Sequence, residues 1–252
     1  MINHKIVIRI LLLFFLLGFL FPLNIEKELL KSDSLYDKGS YNKSFSTIKR
    51  IYKNNDNNAN VVARLARSIF LKAMFEKDYK KRKQYYYRGL KEAEKALNLD
   101  SGNGYANFWY AAYLGQIGQL EGPKQAILNS YEVKKHALLA IDLEPDYDSP
   151  YHMMGRWHYE LASLSKFERK AAALVYAKLP DASYSSAISF FNKAIQLKPN
   201  EVRHHFWLAE TYYSKGMYDL SRQEFDIVIN LPSKDSDDDE MKLSAQKKVK
   251  SF

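Results

Sequence analysis

The chain has 252 residues, 46% of them hydrophobic, with 19 Tyr, 14 Phe and a net charge of +9. That length holds one large domain or one solenoid, and the apolar content argues against general disorder. It contains no cysteine, so disulfides, thiolate nucleophiles, Cys-ligated zinc and an acylated-Cys anchor are excluded, while the surplus of Lys suits an acidic partner or a soluble surface.

Lys5 and Arg9 precede Ile10–Leu23, an apolar run broken only by Gly18 and Pro22. A basic start followed by a short apolar stretch is the pattern of an export signal or anchor, assigned to residues 1–25. No small-residue cleavage site follows, which favours an uncleaved anchor over a cleaved signal, with a buried helix of the domain as the third alternative. The basic residues would keep the N-terminus cytoplasmic and send the body across the membrane. The expected localisation is therefore membrane-anchored or exported, with the body on the non-cytoplasmic side if the source is bacterial.

From Glu26 onward the apolar spacing is helical. Tyr36, Gly39, Tyr41, Phe45, Ile48 and Ile51 fit a helix, a glycine turn and a second helix. After the polar loop Asn54–Asn60, Val61–Phe75 and Lys81–Leu99 form the next pair. Tyr105–Ile117 leads into Gly118–Pro123, expected as a loop, and then Lys124–Leu143. Tyr151–Leu164 opens a fourth unit whose partner, Ala187–Leu197, follows only after the segment Ser165–Ser183. Val202–Ser214, Gly216 and Leu220–Leu231 make the fifth. Residues 233–252 form an acidic linker and a short helix, Asp237–Lys250, whose acids lie first and lysines last, complementing the helix dipole. One repeat domain, 26–232, precedes that cap.

Aligning the second helices on Ile51, Ala96, Ala140, Ala194 and Val228 gives separations of 45, 44, 54 and 34 residues. The last is the tetratricopeptide period. A-E-T-Y-Y-S-K-G-M-Y at Ala209–Tyr218 and A-I-Q-L-K-P at Ala194–Pro199 resemble that consensus. The expected fold is all-α, a tetratricopeptide-like solenoid of about five helical hairpins with a C-terminal capping helix.

Chemistry-bearing motifs are scarce. The six histidines form no H-E-x-x-H and no i, i+4 pair. Asp235, Asp237 and Asp239 mimic the start of an EF-hand loop, but Glu240 stands at its glycine position and Gln246 at its bidentate position. There is no phosphate-binding glycine loop and no nucleophile elbow. The expectation is a non-enzyme with no cofactor and no metal. In the consensus register the inner face of the solenoid carries Arg67, Phe108, His152, Arg156, Tyr159, Arg203, Phe206, Glu210 and Tyr213, a mixture suited to a protein or peptide partner. A basic patch of Lys80, Lys81, Arg82, Lys83 and Arg88 surrounds Tyr85–Tyr87. It could meet an acidic segment or an anionic membrane surface, and it could equally be a solvated face with inward tyrosines. Nucleic acid is the less favoured partner.

Several longer strings resemble the regulator of microtubule dynamics family. They are N-V-V-A-R-L-A-R-S at Asn60–Ser68, G-R-W-H-Y-E-L-A-S-L-S at Gly155–Ser165 and F-E-R-K-A-A-A-L-V-Y-A-K-L-P-D-A-S at Phe167–Ser183. The A-L/I-x-x-F-x-K-A helix after them and the final Leu231–Pro232 also fit. The resemblance implies a helical-repeat adaptor without catalytic residues. Some eukaryotic members are membrane-anchored and associate with microtubules or organelle contact sites. In a bacterium the microtubule role would have no substrate.

Overall fold

The structure is a computed structural model that describes residues 24–175 and 179–251. Within them lie twelve α-helices and no strand. The helices are α1 Ile25–Asp37, α2 Tyr41–Tyr52, α3 Ala59–Met74, α4 Tyr79–Leu99, α5 Gly104–Glu121 and α6 Pro123–Leu143. They continue with α7 Asp148–Ser163, α8 Lys166–Val175, α9 Tyr184–Leu197, α10 Val202–Ser214, α11 Tyr218–Asn230 and α12 Ser236–Val249.

Local chemistry starts most of them. The side chains of Asn24, Asn58, Asp78, Asn103, Ser183 and Asp235 accept hydrogen bonds from first-turn backbone N–H groups, satisfying donors that a helix cannot satisfy internally. Ser165 and Glu168 form a reciprocal capping box at α8, through Ser165 N–H to Glu168 Oε2 and Glu168 N–H to Ser165 Oγ.

The helices pair as α1/α2, α3/α4, α5/α6, α7/α9 and α10/α11, and α12 packs on the last pair. The five aligned positions Ile51, Ala96, Ala140, Ala194 and Val228 are all buried. This is the tetratricopeptide-like solenoid expected from the repeat spacing. The first helices of successive hairpins, α3, α5, α7, α10 and then α12, touch one another and form the inner layer. In the stretch Ala187–Pro199, Ala187, Phe191 and Ala194 are buried against α7 and α10.

Gly118–Pro123 is not the expected loop. Helix α5 runs through Gly118 to Glu121, and Gly122 alone, at φ 97°, makes the turn and starts α6. Gly118 sits in the helix because the next one passes close: a Cβ there would lie 2.9 Å from Ala126 Cα. Its glycine marks a helix crossing and not a break.

The solenoid winds tightly enough for its first and last units to meet. The Tyr41 hydroxyl donates to Asp235 Oδ2 at 2.5 Å, and Lys198 Nζ lies 3.1 Å from Asp37 Oδ1. Gly39, at φ 70°, turns α1 into α2 against Lys234, whose carbonyl oxygen would be 2.7 Å from a Cβ at that position. Only glycine meets both demands, the positive φ and the close approach.

Candidate functional site

The inner layer carries an alternating ladder of charged and aromatic side chains. In its N-terminal part, Asp33 of α1 takes three hydrogen bonds from Arg64 of α3, at 2.9, 2.9 and 2.7 Å. It takes a fourth from Arg67 Nη1 at 2.7 Å. Arg67, only 1% exposed, also donates to Tyr105 Oη at 2.7 Å and to Ser32 and Ser44 Oγ, and its guanidinium lies 4.4 Å from the Tyr36 ring centroid. Burial works to deprotonate Arg67, but Tyr105, Asp33 and Tyr36 outweigh it and raise its pKa. A buried charge of this kind is tolerated only with such partners.

Tyr105 stacks on Tyr147 with ring centroids 5.0 Å apart, and Phe108 meets Tyr147 edge-on. Next in the chain, Asp148 opens α7 and is almost fully buried. It accepts from Arg203 Nη2 at 2.8 Å and His204 Nε2 at 3.0 Å, with Lys198 Nζ at 3.4 Å. Burial pushes the Asp148 carboxyl up, yet the His204 hydrogen bond and the Arg203 and Lys198 charges win and hold it far below the carboxylate range.

His204 donates its Nε2–H to that carboxylate, so its Nδ1 is the acceptor for His152 Nδ1–H, at 3.0 Å. Both imidazoles are neutral in this arrangement. Burial lowers His204 to about 4 against the pull of Asp148. His152 is lowered further by burial, then by His204 and the two nearby arginines, Arg203 and Arg156.

The C-terminal part of the face is more open. The Arg156 guanidinium sits 3.4 Å from the Trp207 ring centroid, and Tyr159 packs on Trp207 at 5.4 Å. Glu210 lies 3.5 Å from Lys248 of α12, whose Nζ stands 4.1 Å over the Tyr213 ring.

The nine inner-face residues therefore divide. Arg67, Phe108 and Phe206 are buried, and His152 and Arg203 are bonded into the Asp148 cluster. Arg156, Tyr159, Glu210 and Tyr213 form a partly accessible strip with Trp207. Sequence inspection missed Asp33, Tyr105, Asp148, His204 and Trp207. One signal was available: an acid, Asp148, opens one inner helix, and Arg203–His204 opens the next at the matching place.

The basic patch also divides. Lys80, Lys83 and Arg88 share the outward face of α4 with Tyr79, Tyr87 and Lys91. Lys81 is exposed beside them, Arg82 is half-buried, and Tyr86 points into the core. Neither an all-outward nor an all-inward assignment of the tyrosines is correct. Among the described residues no group of three His, Asp or Glu is placed to hold a metal ion.

Five stacked hairpins with a charged and aromatic inner face define a tetratricopeptide-like helical-repeat protein. The fold matches a thermophilic tetratricopeptide-repeat protein of Thermus thermophilus with a TM-score of 0.60 at 16% identity, covering 88% of this chain and 98% of that one. PilF of Pseudomonas aeruginosa matches with a TM-score of 0.52 at 14% identity, covering 90% and 87%. The chain belongs to the family described as regulator of microtubule dynamics protein 1-3, whose model matches residues 29–252.

Regulator of microtubule dynamics protein 1 of Bos taurus is 30% identical over 199 residues, 79% of this chain and 59% of that protein. Regulator of microtubule dynamics protein 3 of Xenopus laevis is 35% identical over 136 residues, 54% of this chain and 29% of that protein. The chain thus spans less than two thirds of the length of these curated relatives.

The localisation expectation is corrected here. No helix among the described residues is long and apolar enough to cross a membrane, and these relatives are eukaryotic and not bacterial. The apolar run on which that expectation rested, within residues 1–23, lies outside the described residues.

Proposed function

We propose that the chain is a non-catalytic scaffold that holds a protein partner on the C-terminal half of its inner face, in the regulation of microtubule dynamics that its relatives' name denotes. The repeat domain at 26–232 carries the surface, and 233–252 caps it. The observation that carries this role is the division of the inner face. Around Asp33 and Asp148 the charged groups are consumed by one another, whereas Arg156, Tyr159, Trp207, Glu210 and Tyr213 keep accessible surface. A cation stacked on Trp with tyrosines beside it is the composition that dominates binding energy in protein interfaces. The family membership and the repeat fold support the same role.

The test is crosslinked capture of the partner from the native source with Arg156→Glu and Tyr213→Ala. Both should lose the partner band while helicity and melting temperature stay within about 2 °C of wild type, as surface changes do. Retained capture by both variants would remove this role from the strip.

A further inference from the structure

We propose that the outward face of α4, on the side of the fold away from the inner strip, docks an acidic protein segment through its carboxylates. A shallow groove of about 560 Å³ runs along this face, lined by Tyr79, Lys80, Lys83, Tyr87, Arg88 and Lys91. The chain itself places one carboxylate there. Glu121, at the end of α5, sits with Oε1 2.6 Å from Lys83 Nζ and accepts from Tyr87 Oη at 2.9 Å. One ammonium and one phenol around a carboxylate is therefore the recognition unit this surface already forms.

The rest of the unit is unfilled. Lys80, Arg88 and Lys91 have no ion-pair partner among the described residues, and Tyr79 and Tyr87 are 53% and 40% exposed. Lys80 and Lys91 are eleven positions apart, about 16 Å along a helix. An extended segment with an acid at every second residue repeats at about 6–7 Å. That repeat is close to the spacing of neighbouring basic side chains on one helical face, about 5–6 Å, so three or four carboxylates can engage at once. A groove one helix wide, with a single arginine and lysines flanking tyrosine hydroxyls, suits spaced carboxylates. A row of phosphates is better served by bidentate arginine forks.

The experiment uses the full chain and a fluorescein-labelled peptide alternating Glu with Ser, read by anisotropy. A Gln-for-Glu peptide, phosphatidylserine vesicles and an oligo-thymidine strand serve as competitors. The Glu peptide should bind, weaken with salt, and lose about tenfold in affinity in Lys80→Glu/Arg88→Glu. Tyr87→Phe should cost about threefold with no change in charge, and Glu121→Gln, which vacates Lys83 and Tyr87, should strengthen binding. Circular dichroism should be unchanged in all three variants, since the altered side chains lie on the surface. Absence of peptide binding would overturn the proposal, as would indifference to Tyr87→Phe or displacement by vesicles or oligo-thymidine ahead of unlabelled Glu peptide. The strip around Arg156 is separate, so failure here leaves the inner-face role standing.

Discussion

The Tyr41 hydroxyl donates to Asp235 at 2.5 Å across 194 residues of sequence, tying the first hairpin to the start of the capping helix. Burial, the Asp235 hydrogen bond and the Asp235 charge together drive the Tyr41 pKa far above that of a free phenol, so the group is a donor at every working pH. Tyr41→Phe and Asp235→Asn should each lower unfolding free energy by about 1–2 kcal/mol, the range for a hydrogen bond to a charged group. A double-mutant cycle read by urea unfolding should return a coupling of about 1 kcal/mol. Additive losses would mean the two ends do not communicate in solution.

Arg67 and Asp33 hold the inner face of the first two hairpins together. Asp33→Ala leaves the Arg67 guanidinium buried beside Tyr36 and Tyr105 without its carboxylate, and should destabilise by about 3–5 kcal/mol. Arg67→Met should be far milder, because Asp33 keeps Arg64 and the methionine fills the space without a charge. Urea unfolding of the two variants measures this asymmetry. Equal losses would contradict it.

The coupled histidines make stability depend on pH. His204 falls from an ordinary value of 6.5 to about 4 in the fold, so the unfolded chain binds its proton more readily. Its contribution is complete above about pH 6.5 and is lost as pH falls toward 4. His152 shifts in the same direction. Burial lowers His205, but hydrogen bonds from Glu224 and the Pro199 carbonyl raise it overall, so it opposes this trend. Unfolding free energy should decline by about 3 kcal/mol between pH 7 and pH 4.5. In His204→Asn, measured the same way, the decline should shrink by more than half.

Gly155 marks where α7 and α9 cross most closely. A Cβ there would stand 2.6 Å from the Phe191 ring. Gly155→Ala should cost about 1–3 kcal/mol by overpacking, and Phe191→Leu should recover part of that loss when combined with it. Thermal melts of the three variants decide this, and a neutral Gly155→Ala would show the crossing to be looser than it stands here.

The repeat was legible because its signal is local. Ile51, Ala96, Ala140, Ala194 and Val228 recur on helices whose apolar periodicity lies within a few turns, and all are buried. Gly118 was misread because a glycine demanded by a neighbouring helix looks, in one dimension, like a glycine demanded by a turn. Arg67 was correctly assigned to the inner face of α3, but the sequence does not show that Asp33 and Tyr105 close over it. For the same reason Phe206, buried at 9% exposure, is unsuitable as a surface probe. Contact between Tyr41 and Asp235 was out of reach. It depends on small rotations accumulated over five repeats, and no residue pattern encodes that sum.

Closure of the solenoid on itself is tested most directly by the distance between its ends. The chain has no cysteine, so spin labels can be attached at Lys38→Cys and Ser233→Cys, both exposed and beside the Gly39–Lys234 contact. Pulsed electron–electron resonance should return one short, narrow distance distribution that broadens in Tyr41→Phe/Asp235→Asn. A long or broad distribution in the otherwise unaltered chain would contradict the closed ring and, with it, the assignment of partner binding to the C-terminal half of the inner face.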